Sequence, residues 1–113
     1  MKNRLPAITL LLASLIISSC KDKCNNELAT EQFKKDLQTV AYSIKKPNMN
    51  LKELPLIIQK IEKVSSIESE SDGNYLGKFH PTSSDFIKWT NWFKNNKEKL
   101  CLDKKNNAYY IKE

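Results

Sequence analysis

The chain has 113 residues, a formal charge of +6, and only two glycines. That length supplies one small hydrophobic core and excludes a multidomain enzyme. Every basic residue after Arg4 is a lysine. The arginine forks that read guanine or clamp phosphate are therefore missing, the lysines alternate with acids and asparagines, and nucleic acid is set aside as a partner.

The first stretch has the layout of an export signal. Lys2 and Arg4 are its positive start, and Leu5 to Ile17 is an apolar run broken only by Pro6, Thr9 and Ser14. About 20 apolar residues are needed to span a bilayer, so this run is short for a transmembrane helix. It ends in Ile17-Ser18-Ser19-Cys20. This tetrapeptide resembles the lipobox of small bacterial lipoproteins. The resemblance implies removal of residues 1–19, lipidation of Cys20 and attachment to the membrane of the cell envelope. The alternatives are an ordinary secretory signal cut near Ser19 and an uncleaved anchor. The residue after Cys20 is Lys21 rather than an aspartate of the kind that favours inner-membrane retention. The outer membrane is the expected address, with the periplasmic or surface face open.

Cleavage before Cys20 would leave 94 residues carrying 17 lysines and 13 acids. Residues 20–26 read as the lipidated cysteine and a polar tether, and 27–113 as a single domain. With Cys20 lipidated, Cys24 and Cys101 remain as a pair in an oxidising compartment, and a disulfide between them is expected. The other reading is two unpaired thiols, with Cys101 buried as a small apolar group. Two cysteines and the distant His80 do not form a zinc set, and no metal or other cofactor is expected.

From Asn26 the spacing predicts a helix ending by Lys46. Phe33, Leu37, Val40 and Ile44 form its core stripe, widened by Leu28 and Ala41, and Lys34, Lys35, Asp36, Gln38 and Lys45 lie outside. Asn25, Asn26 and Thr30 are the candidate caps, and Pro47 stops the helix. A second helix is predicted from Leu54-Pro55 to between Ser65 and Ile67. Its core stripe is Leu54, Ile57, Ile58, Ile61 and Val64, with Gln59, Lys60, Glu62 and Lys63 outside; proline is tolerated in its first turn.

Ile67 to Pro81 is irregular. Glu68, Glu70, Asp72 and Gly73 imitate part of an EF-hand loop, but the twelfth position is Phe79 where calcium needs a bidentate glutamate. A solvated turn at Asp72-Gly73 is expected instead, with Tyr75, Leu76 and Phe79 pinning the loop to the core.

Thr82 with Asp85 is a shortened capping box opening a third helix. Phe86, Trp89 and Phe93 share its core face, and Ile87, Thr90 and Trp92 lie on the margins. Trp92 and Trp89 are the candidate binding surface, Trp92 the nearer to solvent, against the plainer reading of both rings as core. Asn95 to Lys99 end the helix. Leu100–Leu102, a turn over Asp103–Asn107 and Ala108–Lys112 predict a β-hairpin that needs the helices for support.

The expected fold is therefore mainly α: a compact three-helix domain with a short C-terminal β-hairpin. The segment Leu54–Lys99 resembles one αα unit of a HEAT-type repeat, at the level of fold alone.

No residue group announces a reaction. His80 precedes Pro81 in a loop, Ser65-Ser66 and Ser83-Ser84 lack a nucleophile motif, and Gly73 and Gly77 do not make a phosphate loop. No enzyme activity is expected. Two function classes remain: an envelope module that binds another envelope protein, and an immunity-type lipoprotein that neutralises a toxin or hydrolase in the periplasm.

Overall fold

The computed structural model describes residues 24–71 and 77–113. Cys20 and the export segment lie outside them, as do Asp72, Gly73, Tyr75 and Leu76. Helix α1 runs over Asn26–Lys45, α2 over Leu54–Ser65 and α3 over Ser83–Asn96. A single 3₁₀ turn, Lys97–Lys99, leads into strand β1 (Leu100–Asp103), which pairs with β2 (Ala108–Ile111).

Local chemistry explains each boundary. Asn25 caps α1 by accepting the Leu28 amide at 3.0 Å on its side-chain oxygen, and Glu27 and Lys45 complement the helix dipole at the two ends. Helix α2 starts on Pro55 without a side-chain cap, and ends at Ser66 in the left-handed conformation. Thr82 and Asp85 form the full reciprocal capping box at the start of α3, as the spacing predicts. In the hairpin turn, Asp103 accepts the amides of Lys105 and Asn106 and the Asn106 side chain. Asn107 takes the positive φ of 51° that closes the turn, a conformation asparagine tolerates.

The hairpin is antiparallel, with Leu100 opposite Ile111, Cys101 opposite Tyr110, Leu102 opposite Tyr109 and Asp103 opposite Ala108. Two strands alone would be marginal. Here β1 packs on α1 and β2 on α2, so the hairpin bridges the first two helices. The core joins Ala29, Phe33, Leu37 and Val40 of α1, Leu54, Ile57, Ile58 and Ile61 of α2, Trp89 and Phe93 of α3, and Leu100 and Tyr109 of the hairpin. Val64, Phe86 and Trp92 pack on its margin. Each such side chain, fully buried, contributes roughly 1.5–3 kcal/mol of transfer free energy.

One face differs from its expectation. Asp36, read from the periodicity as part of the solvated side of α1, is buried in the core boundary. Lys60, also read as outside, has a side chain that is only 9% exposed.

Candidate functional site

The start of α1 is fastened to the hairpin. Cys24 and Cys101 are joined by a disulfide, with Cα atoms 5.2 Å apart, inside the range that bridging requires. Two residues on, Asn26 donates its side-chain amide to the Lys97 carbonyl at 2.7 Å and to the Leu100 carbonyl at 2.9 Å. Of the candidate caps, Asn25 holds that role, and Asn26 instead ties α1 to the 3₁₀ turn and the start of β1. The structure thus brings Cys24 and Cys101 together, as expected, and Cys20 lies four residues before this fastening.

The two tryptophans divide. Trp89 is completely buried and donates its indole N–H to the Ile67 carbonyl at 2.9 Å. It presents no surface, which removes it from the candidate binding surface. The cause is its position at the centre of the α3 stripe, facing α1 and α2. Trp92 is half-buried, its ring tilted against Phe33 with centroids 5.7 Å apart. Phe33 in turn stacks on Phe93 at 4.9 Å and meets Tyr109 edge-on at 5.0 Å.

Three carboxylates fasten the described parts of the loop between α2 and α3. Asp85, fully buried, accepts the Ser69 hydroxyl and the amides of Glu70 and Thr82. Burial pushes its pKa up, but these hydrogen bonds outweigh burial and hold the carboxyl below its ordinary value of 3.8. Glu62 accepts the Ser69 amide and pairs with Lys78, both at 2.7 Å. Glu70 spends its carboxylate on Lys88 and Ser84. It is therefore part of the loop's fastening to α3. Phe79 is half-buried and His80 is exposed.

A polar cluster under the hairpin went unread in the sequence. Asp36 accepts the Tyr109 hydroxyl at 2.5 Å on one carboxylate oxygen and the Gln32 side-chain amide at 3.0 Å on the other. The Lys60 ammonium stands 3.4 Å from Asp36 and 5.3 Å from the centre of the Tyr109 ring. Burial, and then the Asp36 carboxylate that accepts its proton, push the Tyr109 hydroxyl far above its ordinary pKa of 10.0. The cluster links Asp36 and Gln32 of α1 to Lys60 of α2 and Tyr109 of β2. The available signal was positional. Asp36 lies three residues after Phe33 and four before Val40, about 60° from the stripe centre at roughly 100° per residue.

As for chemistry, Ser65 donates to the Ile61 carbonyl and Ser84 to Glu70, so both serve local structure. Among the described residues there is no group of three or more histidine, cysteine or acidic side chains placed to hold a metal, and no helix long and apolar enough to cross a membrane. Comparison with known proteins finds no matching family model, no matching curated protein and no matching solved structure.

Proposed function

We propose that the protein is a lipid-anchored interaction module of the cell envelope, held at the outer membrane through Cys20 and acting by binding another envelope protein rather than by catalysis. The observation that carries this reading is Ile17-Ser18-Ser19-Cys20 at the end of an apolar, positively headed segment. The disulfide between Cys24 and Cys101 supports it, because such a bond suits an oxidising compartment. One acyl chain binds a membrane only marginally, and two or more hold stably. The diacylglyceryl group and further acyl chain of such an anchor would keep the domain within a few residues of the bilayer. Trp92, half-buried at the margin of the core, is the tryptophan left as a contact for the partner.

The test is substitution of the anchor. Cys20→Ala should move the protein from the membrane fraction to the soluble periplasmic fraction, or stall it as an unprocessed precursor. A processed Cys20→Ala protein that still sediments with the membrane would overturn the reading.

A further inference from the structure

A cleft of about 150 Å³ opens between α2 and the hairpin turn, lined by Leu56, Lys60, Lys63, Asn106, Asn107 and Tyr109 among others. We propose that this cleft is a carboxylate-binding site, with Lys60 and Lys63 as the cationic groups and Asn107 as the neighbouring polar group.

Asp36 is satisfied by two shorter hydrogen bonds, from Tyr109 at 2.5 Å and Gln32 at 3.0 Å. Lys60 lies 3.4 Å from Asp36 and 3.4 Å from the Asn107 side-chain oxygen. Both separations exceed the roughly 2.7–2.9 Å of a close charge-assisted hydrogen bond. An ammonium has three donors, and this one, 9% exposed at the wall of the cleft, keeps donor capacity for a stronger acceptor. The ammonium itself lies beside Asp36 and the Tyr109 ring, so it is positioned before any ligand arrives.

The other acids nearby do not compete. Glu62, next to Lys63 in sequence, turns to Lys78 and the Ser69 amide. Asp103 is occupied by the amides of Lys105 and Asn106 and the Asn106 side chain. Lys63 is exposed at the rim, and the exposed Lys104 and Lys105 of the hairpin turn add to the positive field. The volume suits one carboxylate on a short aliphatic stem, and exposed Leu56 offers that stem an apolar contact. The cleft lies at the turn end of the hairpin, which β1 reaches two residues past Cys101, about 7 Å at roughly 3.4 Å per residue.

The carboxylate has two sources, a free small acid or an acidic side chain on a bound protein. The site itself does not depend on the anchor; only naming its ligand as a partner's side chain rests on the interaction reading above.

The experiment is a titration of the full isotopically labelled chain in detergent, followed by amide chemical shifts. The probes are glutarate and a terminally blocked Gly-Glu-Gly peptide, at constant ionic strength set with chloride. Saturable shifts concentrated at Asn107, Ala108 and Tyr109 are expected. At least a tenfold weakening is expected in Lys63→Gln, whose exposed side chain lies outside the Asp36 cluster, with Lys34→Gln on the outer face of α1 as the unaffected control. Lys60→Gln should abolish the shifts, and Lys63→Gln keeps the test decisive if that variant unfolds. Binding of glutarate alone supports the site with a free acid as ligand, and binding of the peptide supports it with a protein side chain. Shifts spread over all the lysine surfaces, or unchanged in Lys63→Gln, overturn the site. That failure would leave membrane attachment through Cys20 untouched, and loss of the anchor would leave the titration unchanged.

Discussion

Asp36, Tyr109 and Lys60 show how a few polar atoms fix the junction of three elements. A buried carboxylate is tolerated only when its lone pairs are taken up, and here the hydrogen bonds come from Tyr109 and Gln32, with the Lys60 ammonium 3.4 Å away. Removing one donor leaves the charge under-satisfied. Tyr109→Phe should therefore cost about 1.5–3 kcal/mol, the range for a hydrogen bond to a charged group, measured by urea denaturation. The same residue sets an alkaline limb. The folded state keeps the Tyr109 proton above pH 10, where the unfolded state releases it. Its contribution is thus fully present below pH 10 and declines above it, by about 1.4 kcal/mol per pH unit. Comparing stability against pH for the wild type and Tyr109→Phe isolates this slope from that of the lysines. Parallel curves through pH 10–11 would contradict the assignment. None of this was legible from residue type, because an aspartate among lysines on a helix reads as solvated. Its angular position beside Phe33 and Val40 carried the information.

Among the elements, those with a period were readable and those without were not. The 3.6-residue repeat located α1 and α2, the Thr82–Asp85 spacing located the start of α3, and the polar turn between two short apolar runs located the hairpin. The loop between α2 and α3 has no period. Its order comes from partners distant in sequence: Asp85 reaching Ser69 and Glu70, and Glu62 reaching Lys78. Gly77 belongs to the same account. Its φ of +115° and an approach that would put a Cβ 2.8 Å from the Pro55 side chain leave room for glycine alone. The candidate surface on α3 was legible in half, since helical spacing separates Trp92 from the core stripe but does not fix how far a large ring reaches. Trp89→Ala should cost about 3–5 kcal/mol, as for other buried large-to-small changes. Trp92→Ala should cost clearly less, since part of its ring already meets water. Equal losses in thermal or urea melts would place both rings in the core and remove Trp92 as a contact surface.

At the scale of the whole molecule, one covalent bond joins Cys24, just before α1, to the C-terminal hairpin. Cys24 and Cys101 are 77 residues apart in sequence, and a loop of that length contributes roughly 4 kcal/mol in the chain-entropy model. The Cys24→Ser, Cys101→Ser double variant should lose about that much, a large part of the roughly 5–15 kcal/mol typical of a domain. A midpoint in urea unchanged from the wild type would contradict a stabilising role. If Cys20 carries the proposed lipid, the anchor precedes this bond by four residues. Everything in that arrangement depends on Cys20. Mass spectrometry of the N-terminal peptide of the mature protein tests it most directly: the account predicts a chain beginning at Cys20 and carrying acyl chains, and a mature chain with an unmodified Cys20 would contradict it.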